Sequence, residues 1–531
     1  MMNAIDKPSS ARLSAVCRIM NVTSASSFLT KQKFAFALLK KAAVRMGFFA
    51  SLLLMGCSDN ESQSNLSAPT YDKAEALSGG ETSVSPRPFP SLEKPADNLS
   101  THLKPQFHAG KALARQPWVK APTVTSARDG LGPIYNARTC MACHIKGGKG
   151  KISNESGSLS MSTLLRVSVA QNISDHEIIT KGVMPHPYYG DQIQTQSISL
   201  AHQLRHSQGD ASVTQTVAPE AYPLIEWQKI PFTYPDGTAV TLQKPNVTFT
   251  NTGYGPITDD TLVGLRVAPS IHGMGLIELI AQSDIDALSD PLDKNSDGIS
   301  GRVNQVWDVQ LQQTRPGRFG LKSNKPSLIM TVAGAFANDL GISNPLFPSQ
   351  PCTSLQTSCN DQLTGNDEDG VELSQQLLEM VVNFNRNMAP LKRTNTASQH
   401  NLAGRELFYK VQCNACHNPS FITSKSKEQP HLGEQTIWPY SDFLIHDMGF
   451  ELSDERPDFL ASGSEWRTPP LWGLGVMKSV SGSTSLLHDG RANSIEEAIL
   501  WHGGEAETVK NNFINLPKYQ RNQLVDFVNS L

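Results

Sequence analysis

The sequence has almost no excess of charge of either sign. Its 46 Lys and Arg residues nearly balance 49 Asp and Glu residues, so the net charge is −3 over 531 residues. A domain that binds nucleic acid through bulk electrostatics carries a marked basic excess. The composition therefore gives no indication of a nucleic-acid partner.

Long hydrophobic runs are also missing. The apolar segment 46–57 is too short to cross a bilayer as a stable helix. It follows five basic residues between Lys31 and Arg45, which is the pattern of an export signal. We therefore expect an export signal over 1–57, followed by a flexible, Ser- and Pro-rich tether over 58–104.

The end of the export signal indicates a lipid anchor. Leu54-Met55-Gly56-Cys57 resembles a bacterial lipobox, in which Cys57 becomes the lipidated N-terminus. Met55 departs from the pattern, because a smaller residue is usual there. Ser58 after the cysteine favours the outer membrane over the inner one. We expect a lipid-anchored protein in the bacterial periplasm or cell envelope.

Cysteine is scarce, with eight residues, and their arrangement does not suit a zinc ion. Four of them form two C-x-x-C-H motifs, Cys140-Met141-Ala142-Cys143-His144 and Cys413-Asn414-Ala415-Cys416-His417. A zinc site would need two more thiol or imidazole ligands at tight spacing near each pair, and the sequence supplies none. C-x-x-C-H is the attachment signature of a c-type haem.

The two motifs predict two covalently bound haem c groups. In each motif the two thiols add across the haem vinyl groups, and the following histidine reaches the iron. Cys140, Cys143, Cys413 and Cys416 are thus the predicted attachment residues. His144 and His417 are the predicted proximal iron ligands.

Two further cysteines, Cys352 and Cys359, stand close together between turn-forming residues. In an exported protein this spacing predicts a small disulfide loop. The alternative is a pair of free thiols, which we would expect only in a reducing compartment.

Hydrophobic periodicity indicates helices joined to one β-rich region. Segments 225–230 and 232–242 alternate around Asp236-Gly237, which predicts a hairpin. Helical patterns cover 327–339, 372–387, 402–409 and 519–531, and the last two are expected to pack on each other.

Asp293, Asn295, Asp297 and Gly298 match the first half of a calcium-binding loop. Position 12 of that loop is Asn304 rather than the usual bidentate Glu. We therefore expect weak calcium binding, or a turn held only by its own side-chain hydrogen bonds.

The motifs and their surroundings resemble the di-haem oxidoreductase family, relatives of the bacterial di-haem cytochrome c peroxidases. The resemblance rests on segments between 129 and 506, which include 129–133, 266–270, 297–302, 317–320, 439–449, 465–473, 487–492 and 501–506. It implies a mainly α fold with two cytochrome c-like haem domains. We expect an N-terminal domain over 105–393, which contains a small β-rich insertion, and a C-terminal domain over 394–531. The label "thiol oxidoreductase" used for some members is disfavoured here, since both cysteine pairs are expected to be bound to haem.

The resemblance also implies a second ligand for the C-terminal haem. In the related peroxidases an axial ligand lies about fourteen residues after the histidine of a His-Asp-Gly turn. His502 stands fourteen residues after His488. Met448 and His446 are alternatives, and so is a purely structural role for His502.

The distal side of the N-terminal haem is less defined. The candidate ligands are Met184, His186, His202, His272 and Met274. In the related peroxidases this haem can keep an open position, with a carboxylate nearby that moves the peroxide proton. Glu278 is the candidate carboxylate, and the alternative is an exposed structural one.

Two main functions are compatible with these features. The first is an oxidoreductase that passes electrons from a small redox protein through one haem to a peroxide-like substrate at the other. The second is an electron-transfer lipoprotein cytochrome without peroxidase activity. A surface binding protein with structural haem is a weaker third possibility.

Overall fold

The computed structural model describes residues 67–124, 128–170, 175–198 and 217–531. The predicted export signal and lipobox, including Cys57, lie outside these ranges. No helix in the described part of the chain has both the length and the apolar character needed to cross a membrane.

The described residues form short helices joined by long connections. The α-helices are α1 Lys104–Arg115, α2 Cys140–Cys143, α3 Asp175–Lys181, α4 Met274–Glu278, α5 Gln282–Asp286, α6 Leu328–Leu340, α7 Thr357–Asn360, α8 Gln375–Arg386, α9 Gln399–Lys410, α10 Met477–Ser481, α11 Ile495–Trp501, α12 Glu507–Ile514 and α13 Lys518–Asn529. Single 3₁₀ turns span Lys73–Ala76, Gly80–Thr82, Ile145–Gly147, Cys413–Ala415, Phe450–Leu452, Leu474–Val476 and Gly504–Ala506.

The strands form many small sheets rather than one large one. They are β1 Ile134–Tyr135, β2 Gly157–Ser158, β3 Thr163–Val169, β4 Gln192–Ile193, β5 Gln196–Ser197, β6 Ala221–Thr233, β7 Ala239–Thr252, β8 Thr261–Val267, β9 Gln305–Asp308, β10 Gln313–Pro316, β11 Phe421–Ile422, β12 Thr436–Ile437, β13 Ile445–Asp447 and β14 Glu465–Arg467. The orders are β1-β5, β10-β9, β11-β12, β13-β14, β2-β6-β7 and β4-β3-β8.

The prediction of a mainly α fold is wrong. Only 29% of the structure is helical and 20% is strand. Two separate haem domains are not shown either, because residues 64–531 form one compact unit. Most of the missed strands have two to four residues, which is too short for an alternating pattern to identify them.

The predicted hairpin around Asp236-Gly237 is present and longer than expected. β6 and β7 pair antiparallel from Thr233 opposite Ala239 to Ala221 opposite Thr252. At its tip, the Tyr234 hydroxyl donates a hydrogen bond to Glu496, 2.9 Å away. The hairpin therefore reaches α11, in the C-terminal part of the unit.

Four helices begin at serine caps, and three of them were predicted. Ser327, Ser374, Ser398 and Ser494 precede α6, α8, α9 and α11, and each hydroxyl accepts a hydrogen bond from the amide three residues later. The predicted segments 327–339 and 372–387 correspond to α6 and α8.

Helix pairs approach closely at glycines. A Cβ atom on Gly404 of α9 would stand 2.1 Å from the Gln523 carbonyl oxygen of α13, which no real side chain could do. The predicted contact between these two helices is thus confirmed. Since α9 ends at Lys410, this packing fixes where the second C-x-x-C-H motif starts.

Part of the range predicted as a tether is packed. Glu75 is fully buried, and its carboxylate accepts hydrogen bonds from Arg405 at 2.6 Å and from the Tyr440 hydroxyl at 3.0 Å. Leu92 is likewise buried in the largest hydrophobic cluster. Composition could not reveal this, because the partners of Glu75 lie more than 300 residues away in the chain.

Candidate functional site

The first C-x-x-C-H motif is held by a short helix and one backbone carbonyl. Thr139 caps α2, so Cys140 and Cys143 lie three residues apart on one helical face. The Nδ1 atom of His144 lies 2.7 Å from the Pro269 carbonyl oxygen. A carbonyl can only accept, so Nδ1 carries the proton and Nε2 keeps a free lone pair.

The second motif repeats this arrangement on a 3₁₀ turn. His417 Nδ1 donates to the Tyr440 carbonyl oxygen over 2.9 Å, which again leaves Nε2 free. Burial lowers the pKa of His417 to about 4, so the ring is neutral. A neutral imidazole with a free Nε2 is the form that binds metal ions.

The four motif cysteines are unpaired, whereas Cys352 and Cys359 form the predicted disulfide. Burial raises the pKa of the thiols of Cys140 and Cys413 to about 12. It also raises the pKa of Cys143 and Cys416. Since only thiolates react readily with disulfides, these cysteines do not suit dithiol redox chemistry.

The structure brings His502 to the second motif. His502 directly follows α11, and its Nδ1 atom lies 2.7 Å from the Ala498 carbonyl oxygen of that helix. Nε2 is therefore free, as in His144 and His417. The two rings of His417 and His502 are close enough for a charge on His502 to lower the pKa of His417, after the larger effect of burial.

His446, an alternative ligand, has no free nitrogen. Its Nε2 lies 2.8 Å from Asp442 and its Nδ1 lies 2.7 Å from Glu505. Burial alone would lower the pKa of His446, but the Cys416 sulfur and the Asp442 carboxylate raise it well above its usual value. A protonated imidazole cannot bind iron.

Cys416, Asp442 and His446 form a group that could hold a metal ion, since their ligand atoms lie within 4.8 Å of one another. Because Cys416 belongs to the haem motif and His446 faces carboxylates, we interpret this group as an ion pair beside the motif.

Met448 is half-buried next to Gly503, where an added Cβ atom would lie 3.0 Å from the Met448 carbonyl oxygen. Met448 therefore stays an alternative to His502.

The structure does not single out one of the candidate distal ligands near the first motif. Both ring nitrogens of His272 lack a hydrogen-bond partner among the described residues, and the ring is buried beside Trp472, so His272 stays a candidate. His186 Nδ1 accepts from the Tyr188 amide over 3.2 Å, so its Nε2 carries the proton. His202 lies outside the described residues. Met184 and Met274 are half-buried, and nothing distinguishes them.

A family model described as "Di-haem oxidoreductase, putative peroxidase" matches residues 71–531. The chain belongs to the di-haem oxidoreductase family. No curated protein matches it significantly. A solved structure of Kuenenia stuttgartiensis hydrazine synthase pressurised with xenon matches at 16% identity over 38% of this chain and 70% of that chain, with a TM-score of 0.18, which is too low to support an argument.

The donor set of this di-haem oxidoreductase fits two haem groups. Each motif offers two unpaired thiols and one neutral histidine with a free Nε2. All six of these side chains except Cys143 keep some accessible surface although they lie deep in the protein. They are therefore not enclosed by packed side chains, which leaves them accessible to a cofactor.

Glu278, the predicted catalytic carboxylate, is fully engaged in structural contacts. One oxygen accepts from the Leu328 amide at the start of α6, and the other pairs with Arg386 at 2.8 Å. These contacts join α4, α6 and α8. We therefore do not assign a role in catalysis to Glu278.

Asp339 is a candidate acid–base residue that the sequence analysis did not identify. Its carbonyl oxygen accepts hydrogen bonds from the amides of Asn136 and Ala137, just before the first motif. Burial raises the pKa of Asp339 to about 6, and its charge contributes to the raised pKa of Cys140 and Cys143. Sequence reasoning predicted the helix that ends near Asp339, but nothing local indicates that this helix end meets the motif.

The predicted calcium loop is held by its own side chains. Asp293 accepts from the Asp297 amide at 2.9 Å, and Asp297 accepts from the Ile299 amide at 2.9 Å. Asn295 also accepts from the Asp297 amide. Asn304, at position 12, is buried and donates to the Lys322 carbonyl instead. Calcium binding stays a prediction.

Proposed function

We propose that this di-haem oxidoreductase binds two haem c groups covalently and reduces a peroxide with electrons from a small redox protein. The observation that carries the proposal is shared by His144, His417 and His502. Each donates its Nδ1 proton to a backbone carbonyl and keeps Nε2 free at a deep but accessible position.

In this proposal Cys140 and Cys143 attach one haem, and Cys413 and Cys416 attach the other. His144 and His417 are the proximal ligands, and His502 is the second ligand of the C-terminal iron. The bound haems would supply electron transfer and the site of peroxide reduction. Two nitrogen ligands would leave the C-terminal iron no position for substrate, so the N-terminal iron is the proposed site of reaction.

Asp339 is the proposed proton carrier at the N-terminal site. Peroxide reduction requires a proton to move between its oxygens, and a carboxyl group with a pKa near 6 can both accept and release one near neutral pH. Gln192 donates to Asp339 Oδ1 over 2.8 Å and so fixes the carboxylate. No described residue donates a hydrogen bond to the other oxygen, which is left to exchange the proton.

The proposed location is the bacterial periplasm or cell envelope, with a lipid anchor at Cys57. The Cys352–Cys359 disulfide supports an oxidising compartment, since such bonds are rare in the cytosol. The export pattern in 1–57 supports the same location.

The test is to express the chain with a haem c maturation system and measure its mass after denaturation. We expect the mass of the wild type to exceed that of the bare chain by two haems. A Cys140→Ala/Cys143→Ala/Cys413→Ala/Cys416→Ala variant should carry neither haem. A Cys352→Ala/Cys359→Ala variant is the matched control and should keep both haems. One haem or none in the wild type would overturn the proposal.

The second measurement separates the peroxidase from an electron carrier. A ferric spectrum with a high-spin component and peroxide-dependent oxidation of a reduced donor would support the peroxidase. Two low-spin haems without peroxide turnover, before and after reduction of one haem, would indicate the electron-transfer cytochrome.

A further inference from the structure

The hairpin of β6 and β7 is an element that the proposed function leaves without a role. Its base packs in one hydrophobic cluster with β3 and β8, where Ala221 and Ile225 are buried. Its tip enters a different cluster, which also contains residues of α9, α11 and α13. The tip therefore lies among the helices that lead to the second motif and to His502.

Tyr234 carries the tip of the hairpin into this second cluster, and it is only 2% exposed. The turn around it is closed by two backbone hydrogen bonds. The Tyr234 amide donates to the Thr238 carbonyl oxygen over 2.8 Å, and the Gly237 amide donates to the Tyr234 carbonyl oxygen over 2.9 Å. Gly237 has a φ of 82°, a left-handed conformation that favours glycine. The turn thus fixes the direction in which the Tyr234 side chain leaves the hairpin.

Arg521 of α13 covers the ring of Tyr234. Its guanidinium group lies 3.8 Å from the ring centroid, and its Nη2 donates to Asp236 over 2.9 Å. Its Nη1 donates to the Leu516 carbonyl oxygen over 2.7 Å. Arg521 is buried, and a cation over an aromatic ring stabilises more strongly where water is excluded. The tip is therefore attached to α13, which packs on α9 at Gly404, in the helix that precedes the second motif.

The hydroxyl of the same tyrosine reaches α11. It donates a hydrogen bond to Oε1 of Glu496 over 2.9 Å. Burial and the hydrogen bond to Glu496 raise the pKa of Tyr234, so the phenol keeps the proton that it donates. Glu496 stands in the first turn of α11, next to the residues that follow the Ser494 cap. The bond thus joins the hairpin to the beginning of the helix that precedes His502.

The helix α11 transmits the position of its first turn to His502. It has seven residues, which is about two turns and roughly 10 Å. The ring of His502 is held to this helix by its hydrogen bond to the Ala498 carbonyl oxygen. A helix this short has little stability of its own and depends on its packing and its end contacts. Contacts at Glu496 therefore influence where the His502 ring lies.

We propose that Tyr234 is a positioning residue for His502. Its hydrogen bond to Glu496 and its contact with Arg521 hold α11 against α13, so that Nε2 of His502 stays at the second iron. This inference rests on the proposed function, in which His502 binds that iron. A tyrosine that only stabilised the fold would leave the ligation by His502 unchanged.

Cyanide measures how firmly His502 is held, because it binds the ferric iron only after the histidine has left it. Tyr234→Phe removes the hydroxyl and keeps the ring beneath Arg521. We expect cyanide to bind the C-terminal ferric haem of this holoprotein about tenfold faster than in the wild type, because a hydrogen bond to a charged group is lost. Tyr222→Phe, at an exposed position of the same strand, is the matched control and should bind cyanide at the wild-type rate. The spectral change in His502→Ala identifies the C-terminal haem.

Variants of Glu496 test the same bond from its other side. Glu496→Ala should accelerate cyanide binding as Tyr234→Phe does. The double variant should be no faster than either single variant, because both substitutions remove one bond. Glu496→Gln keeps an acceptor oxygen and should stay close to the wild type, whereas equal rates in Glu496→Gln and Glu496→Ala would overturn the role of the bond. Since Glu496 is half-buried, its variants decide the question if Tyr234→Phe does not fold.

Thermal unfolding separates positioning from stability. A Tyr234→Phe protein that unfolds at a lower temperature but binds cyanide at the wild-type rate would overturn the inference, provided that His502→Ala alters the C-terminal haem. If His502→Ala leaves the spectra of both haems unchanged, the ligation in the proposed function is wrong, and the role of Tyr234 falls with it.

Discussion

Trp466 and His488 stack face to face, with ring centroids 3.7 Å apart and an angle of 6° between their planes. Lys322 and Arg266 lie 4.2 and 4.5 Å from the same indole ring. Burial lowers the pKa of His488 to about 3, so its ring stays neutral in this positively charged surrounding.

The first prediction is that His488 makes the folded protein sensitive to acid. The unfolded state binds a proton at His488 below about pH 6.5, whereas the folded state does so only near pH 3. Stability is therefore lost as pH falls between these values, by about 1.4 kcal/mol per pH unit for this residue. Measured by urea unfolding between pH 7 and 5, His488→Phe should lose less stability than the wild type. His102→Phe, at an exposed site, should lose as much stability as the wild type. Equal slopes in wild type and His488→Phe would contradict the low pKa.

The second prediction concerns the ligand of the C-terminal iron. His502→Ala should leave both haems attached, convert one from low spin to a five-coordinate or water-bound state, and raise its reduction potential, because ferric iron loses a nitrogen donor. His446→Gln is the matched control, since its nitrogens bind carboxylates. If His502→Ala keeps low-spin spectra and potentials at both haems, Met448 becomes the ligand to test.

The third prediction tests whether Asp339, rather than Glu278, transfers the proton. Asp339→Asn should slow peroxide reduction by about 10²-fold or more, while haem content and reduction potentials stay close to those of the wild type. In the wild type, activity should rise as pH increases through about 6, where Asp339 becomes able to accept a proton, and the variant should lose this rise. Glu278→Gln should lower the melting temperature without changing the pH profile. If the activity of Asp339→Asn still rises as pH increases through about 6, another group transfers the proton.

The fourth prediction concerns membrane attachment. Cys57→Ser should leave haem content unchanged and move the protein from the membrane fraction to the soluble fraction, because lipid chains provide the anchoring. Fractionation followed by haem staining measures this. A variant that stays with the membrane would favour an uncleaved N-terminal helix or a protein partner.

Features encoded by neighbouring residues were predictable from the sequence. The haem motifs, the Asp236-Gly237 hairpin and the Cys352–Cys359 disulfide each need only a short segment to be recognised. His502 was inferred by analogy with related peroxidases, and its role as an iron ligand stays a prediction.

Features that depend on distant pairing were not predictable. Ile134 pairs with Ser197 in a two-residue sheet, and such pairs account for much of the error in fold class. Asp339 gains its chemical environment from segments far away in the chain, including Gln192. Glu278 looked available for catalysis, because the sequence cannot show that Arg386 and the start of α6 already occupy it.

The buried Glu75 has a consequence for how the second haem site is completed. Tyr440 donates its hydroxyl to Glu75, and its carbonyl oxygen orients His417. Arg393 donates to the carbonyl oxygens of both Glu75 and Ser530, next to the last residue of the chain. A ribosome makes Glu75 long before its partner Arg405, 330 residues later. Because such distant contacts form slowly, we expect the orientation of His417 to be fixed late in folding.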